Sequence, residues 1–185
     1  MFPTVPPPPQ RLLVFARLPE PGAEPALQDL IASIGDSTPE MEIEFLWEPA
    51  PNANGALLRL AFAHHAVAMQ TGNNRSDRMS MAFSERFFFH RTEKIIAIGV
   101  DDPALPRELI DHAFALLDSC EYVVGPAQNG GYYLIGCRAG AFDPEIFNGI
   151  EWGTSRVLHE TLLRIRALER TVAMLPERPT VTELT

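Results

Sequence analysis

Lysine is almost missing from this chain: Lys94 is the only one among 185 residues. That excludes phosphate-binding loops in which a glycine-rich turn is followed by a lysine. Cysteine is scarce as well. Cys120 and Cys137 are too few and too irregularly spaced for a disulfide scaffold or a zinc knuckle, and such sparing use fits a reducing cytoplasm. No apolar run approaches the roughly 18 residues of a membrane span. The opening MFPTVPPPPQ has neither the basic nor the apolar region of a signal peptide. Positive charge is in short supply: Lys and Arg number 15 against 24 Asp and Glu, a formal net charge of −9. A nucleic-acid partner would need a basic face for its phosphates, so that class is set aside, whereas a small phosphorylated ligand needs only a local site. The sequence also lacks a GxSxG elbow, an HExxH helix and a CxxC pair.

What is present is ordinary for one folded domain. Hydrophobic residues make up 46% and charged residues 21%, and the length suits a single unit. Residues 1–10 read as a proline-rich arm, with prolines 6–9 in an extended polyproline II run that packs little. Residues 11–185 read as one domain. Apolar runs at 11–16, 41–47, 94–99, 121–125 and 132–136 are expected strands of one sheet, with shorter ones at 66–70 and 171–175. Helical stripes are expected at 25–34 (stopped by Gly35), 53–65, 77–89, from Pro106 onward, and at 154–168 with Thr154 as N-cap. The 77–89 stripe puts Met79, Ala82, Phe83 and Arg86 on one side. Phe87–Phe89 read as core and Lys94 as a solvated flank. Alternation of strand and helix predicts a three-layer α/β sandwich around a mainly parallel mixed sheet. The short glycine turn between 121–125 and 132–137 makes one strand there antiparallel.

In open α/β sheets, ligands sit beyond the carboxyl ends of the strands. Asp101 and Asp102 directly follow the isoleucine-rich strand. A carboxylate pair there can hold Mg²⁺ or Mn²⁺ against a diphosphate, or Asp102 with Pro103 can shape the approach to a helix. Gly130 and Gly131 permit positive φ and close backbone approach, either to a sugar or phosphate or to form a tight turn. His64 and His65 are adjacent and cannot form an i, i+4 metal pair.

Five stretches in order carry a resemblance over residues 11–184: LLVFARLPEPG, DRMSMAF, IAIGVDDPALP with the AF of HAFALL, VVGPAQNGGYYLIG and IEWGTSRVLHETL. Together they resemble a bacterial family of uncharacterised, glycosyltransferase-like proteins with the GT-A, nucleotide-diphospho-sugar transferase fold. The resemblance implies binding of a nucleotide or nucleotide sugar by Phe15, Ala16, Arg17 and Gly22 of the first loop, by Asn129, Gly130, Gly131 and Tyr132 of the glycine turn, and by Trp152 and Thr154. It implies a catalytic Asp101 and a metal held by Asp101 and Asp102. The chain departs from the family in one physical direction. Glu24, Pro25 and Ala26 stand where the family has Lys-Thr-Arg. Arg75-Ser76 replaces Leu-Gly, and Asp102 replaces a small residue. Asn129 replaces the first Asp of Asp-Gly-Gly-Tyr, and Thr180 and Thr182 replace a terminal pair of aspartates. Amides and hydroxyls offer oxygens without charge. The expected function is therefore that of a glycosyltransferase-like protein whose activity is weak, altered or lost; a non-catalytic binding protein and a nucleotidyltransferase are the alternatives. The sequence predicts no tightly bound metal. Calorimetry should show Mg²⁺ or Mn²⁺ taken up only together with a diphosphate that supplies the missing oxygens.

Overall fold

A computed structural model describes residues 9–16, 24–48, 65–100, 102 and 104–179. Among the described residues seven strands form one sheet: β1 (Gln10–Ala16), β2 (Met41–Trp47), β3 (Ala66–Met69), β4 (Lys94–Gly99), β5 (Tyr122–Pro126), β6 (Tyr132–Arg138) and β7 (Val172–Met174). Their order is β3-β2-β1-β4-β6-β5-β7. β1 pairs in parallel with both β2 and β4. β6 runs antiparallel to both β4 and β5, as the short glycine turn requires. The described helices are α1 (Glu24–Ile34), α2 (Arg75–Phe88), α3 (Arg107–Leu116) and α4 (Val157–Ala167). The expected helix at 53–65 falls on residues outside the described ones, except His65, which precedes β3.

Two apolar clusters explain the three layers. Strand residues of one parity (Leu12, Val14, Phe45, Trp47, Ile96, Ile98) pack under Leu30 and Ile34 of α1 and Ile110 and Phe114 of α3. The opposite parity (Leu13, Leu46, Ile95, Ala97, Val124, Ile135) meets Met79 and Phe83 of α2 and Val157 and Ile165 of α4. With both faces covered, strands lose the polar outer row of a half-exposed sheet. Glu44 shows the consequence: in MEIEFLW it occupies a polar alternation position, yet it is 5% exposed.

Its burial is balanced by two arginines. Arg86 donates to Glu44 through Nε (3.0 Å) and Nη2 (2.6 Å), and Arg11 through Nη1 (2.8 Å). Arg11 also pairs with Glu42 at 2.6 Å and Arg86 with Glu85 at 2.6 Å. Burial pushes the Glu44 carboxyl up, but the hydrogen bonds and charges of Arg86 and Arg11 outweigh it and hold the group below its ordinary value. The expected side of α2 is the buried one, Arg86 included.

Several sequence expectations change at element ends. α2 opens at Arg75 rather than 77, because the Asn74 side chain accepts from the Asp77 N–H at 2.9 Å and caps it. α4 opens at Val157, not at Thr154. The Thr154 hydroxyl donates to Glu151 O (2.8 Å) and accepts from Arg156 N (3.3 Å), so it closes the preceding turn. Pro106 is the cap residue of α3 rather than its first helical residue. Gly35, at φ +72, ends α1 as expected. Phe88 and Phe89 are 78% and 82% exposed, because the core-facing stripe of α2 ends with Phe83, Arg86 and the half-buried Phe87. Lys94 is not a free flank: its ammonium donates to Asp118 (2.5 Å) and to Phe114 O (3.3 Å).

Truncating Glu44 to Ala would leave two buried guanidinium groups facing each other. We expect Glu44→Ala to cost about 3–5 kcal/mol at neutral pH, measured by urea denaturation. The carboxyl has a depressed folded value, so its contribution is complete above the unfolded value of about 4.3 and is lost as pH falls through the folded one. The difference between wild type and variant should accordingly shrink in acid.

Candidate functional site at the carboxyl edge of the sheet

The strand order reverses direction between β1 and β4, so the crevice of the fold opens beyond the carboxyl ends of these two strands. Phe15 and Ala16 close β1 there. Phe15 is half-buried on the α2 side of the sheet. Ala16 is buried, and its carbonyl accepts from Glu48 N (2.8 Å) and the Gln70 side-chain amide (3.2 Å). The same Gln70 amide donates to Leu46 O at 2.8 Å, tying the ends of β1 and β2 together. Arg17, Gly22 and Asp101 lie outside the described residues.

The glycine turn reaches the same edge from β5 to β6. Asn129 accepts from Gly131 N through Oδ1 at 2.9 Å, a local side-chain turn. Gly130 has φ +85, and a Cβ there would lie 2.2 Å from Ser155 O. Leu158 N donates to Gly130 O at 2.9 Å. The close approach that Gly130 permits is therefore to the backbone leading into α4, within this chain. It fixes the turn against the segment that carries Trp152.

Trp152 and Tyr132 meet edge to face, ring centroids 6.3 Å apart. The Trp152 indole N–H donates to Ser76 Oγ at 2.9 Å, and the Arg75 guanidinium lies 4.5 Å from the indole centroid. Burial pushes the Tyr132 hydroxyl well above its ordinary value, although the Arg75 charge opposes this. Arg75 and Ser76 are the very positions at which this chain departs from Leu-Gly. The departure was visible in the sequence; its meeting with Trp152, 76 residues away, was not.

Asp102 is engaged from the far end of the chain. Arg178 donates to its carboxylate through Nε (2.8 Å) and Nη2 (3.3 Å), and Asp102 Oδ1 also accepts from Ala104 N at 3.2 Å. The structure thus brings Tyr132 and Trp152 together and gives Asp102 a partner that sequence reasoning missed. Nothing in the local pattern LPERP marks Arg178 as special.

These donors do not fit a divalent ion held by the chain alone. Both Asp102 oxygens bond a guanidinium, the Asn129 oxygen serves its own turn, and among the described residues no group of three or more His, Cys, Asp or Glu could hold a metal.

Residues 38–154 match the model of a bacterial family described as "Uncharacterized protein conserved in bacteria (DUF2064)". The chain belongs to this family. Among solved structures it is similar to the "putative nucleotide-diphospho-sugar transferase" of Desulfovibrio desulfuricans G20, with 26% identity and a TM-score of 0.86 over 94% of this chain and 82% of that one. A CMP:2-keto-3-deoxy-manno-octonic acid synthetase solved with CTP matches at 10% identity and TM-score 0.60, over 92% and 90% of the two chains. The manganese complex of Rv0371c from Mycobacterium tuberculosis H37Rv matches at 12% identity and TM-score 0.53, over 92% and 90%. The last two show the fold alone. No curated protein matches the chain. The fold is that of nucleotide-diphospho-sugar transferases, as the sequence motifs implied. Among the described residues no helix is long and apolar enough to cross a membrane.

Gly130 offers a direct test of the turn. We expect Gly130→Ala to destabilise the protein by at least about 1–3 kcal/mol from backbone strain alone, with the clash against Ser155 added to it. Thermal denaturation is the measurement.

Proposed function

We propose that this chain, with residues 11–185 as one domain, binds a nucleotide or nucleotide sugar at the carboxyl edge of its sheet, and that glycosyl transfer there is weak, altered or lost. The observation that carries the reading is the near full-length likeness to the Desulfovibrio structure combined with what sits at the edge. Trp152, partly exposed and backed by the buried Tyr132, provides aromatic surface, and Arg75 provides a cation beside it. An aromatic face and a guanidinium suit a planar base and a phosphate respectively.

Each site residue then has a role in binding. Phe15 and Ala16 close β1 at the crevice, and Arg17 and Gly22 of the loop that follows in sequence are assigned to the nucleotide, Arg17 to a phosphate. Asn129, Gly130 and Gly131 set the turn that holds Tyr132 in place, and Thr154 closes the turn that carries Trp152. Asp101, which follows β4 in sequence, is the residue we assign a catalytic role, as the base for an acceptor hydroxyl. In such a transfer the acceptor oxygen forms a bond to the anomeric carbon, the bond from that carbon to the diphosphate breaks, and the acceptor proton leaves to a base. The described donors do not fit a divalent ion beside the departing diphosphate, which favours binding over fast turnover. The fold is shared with nucleotidyltransferases, but no described side chain favours attack on the α-phosphate instead.

Any ligand of the native state raises its stability by RT ln(1 + [L]/Kd), about 2.7 kcal/mol at a hundredfold excess over Kd. For a chain of this size each kcal/mol moves the melting temperature by about 2–4 °C. We expect at least one of UDP, GDP, CDP or their sugar conjugates to raise the melting temperature by several degrees, and Arg75→Ala to reduce the shift. A panel in which no nucleoside diphosphate or nucleotide sugar moves the transition would end the proposal.

A further inference from the structure

After β7 the chain crosses the carboxyl edge. Arg178 N donates to Pro126 O at 3.0 Å, Gln128 N donates to Arg178 O at 3.1 Å, and Ala127 and Arg178 form a parallel bridge. The Arg178 side chain then reaches back over β6. Its guanidinium lies 5.8 Å from the Tyr133 ring centroid, and the Tyr133 hydroxyl donates to Pro176 O at 3.1 Å. Beyond Tyr133 the guanidinium meets Asp102 in the two-point contact described above, and Nη2 also donates to Ala104 O at 3.1 Å. The pair is partly sheltered, with side chains 25% and 14% exposed.

This arrangement consumes three of the five guanidinium N–H groups, the one on Nε and the two on Nη2. The two on Nη1 bond no described residue. At the described part of the edge the Asn129 oxygen is bonded within its own turn, and the Asp102 carboxylate is matched to a monocation. A metal on Asp102 would have to displace a guanidinium already held by two hydrogen bonds. Were both to stay, a double and a single positive charge would share one carboxylate.

We propose that Arg178 is the resident cation of this site: it occupies on Asp102 the place a divalent metal would take, so that this chain binds a nucleoside diphosphate without a metal ion. The ligand class rests on the nucleotide reading above; the assignment of the cation does not. The remaining Nη1 donors are suited to a phosphate oxygen. Hydrogen bonding to Asp102 raises the guanidinium's proton affinity further, so the charge persists at all working pH values.

Two measurements test this. The first is calorimetry with UDP, GDP and CDP in EDTA and in excess Mn²⁺. We expect the same affinity within about twofold in both buffers, a loss of tenfold or more in Arg178→Gln, and partial rescue in Arg178→Lys, with melting curves confirming that each variant folds. Tightening of tenfold or more by Mn²⁺ in the wild type, abolished by Asp102→Asn, would overturn the proposal. So would an Arg178→Gln variant that binds as tightly as wild type in EDTA. The second uses Mn²⁺ alone, followed by the spin-resonance signal of the free ion. The wild type should leave that signal unchanged, Arg178→Gln should lower it by freeing Asp102, and adding Asp102→Asn should restore it. Mn²⁺ uptake by the wild type, or none by Arg178→Gln, overturns the assignment. If no nucleoside diphosphate binds in either buffer, the nucleotide reading fails, and the Mn²⁺ series judges Arg178 by itself.

Discussion

The buried ion cluster of Arg11, Glu44 and Arg86 sets where α2 lies, and the candidate site depends on that placement. Three charges from β1, β2 and α2 meet with contacts of 2.6 to 3.0 Å. Such a cluster adds little net stability over an apolar alternative, because desolvation offsets most of the attraction. It does fix geometry, since a one-residue slip of α2 would leave charges buried without partners. α2 runs from Arg75 to Phe88, so at about 1.5 Å per residue its first residue lies roughly 17 Å from Arg86. That end carries Arg75 and Ser76. A helix anchored at one end by ion pairs thereby delivers a cation and a hydroxyl to Trp152 at the edge of the sheet.

The same economy governs the opposite side of that edge. Gly130 lets the turn press on the Ser155 backbone, and Leu158 N returns a hydrogen bond to Gly130 O. These contacts join the turn to the approach of α4, where Tyr132 and Trp152 meet edge to face. Arg178 does a comparable job between the tail and the exit from β4, by joining Asp102 to the segment that follows β7. The edge is pre-arranged by contacts within the chain, which lowers the ordering cost of any ligand that settles there.

The proposed function rests on the structural likeness and the chemistry of the edge together. Scaffolds of this type serve several reactions, and the site residues decide among them. Here the described part of the edge carries aromatic and guanidinium groups, and both oxygens of Asp102 are held by Arg178. That composition is what the proposal of a phosphorylated ligand rests on.

Strand and helix positions were legible because apolar runs and 3.6-residue stripes report burial directly, as Ile95–Ile98 in β4 and Met79–Phe83 in α2 show. The antiparallel β6 was legible too, since a turn of a few residues cannot make a crossover. The glycine motif also lies where the chain turns from β5 into β6. Other features needed the tertiary structure. The sequence by itself could not show that Glu44 is buried, because alternation does not reveal that both faces of the sheet are covered. Nor could it show that Phe88 and Phe89 lie beyond the packed stripe of their helix. The partners of Trp152 and Asp102 stand 76 residues away in sequence. Local periodicity carries no information at that separation; only the folding of the sheet brings those side chains within hydrogen-bond range.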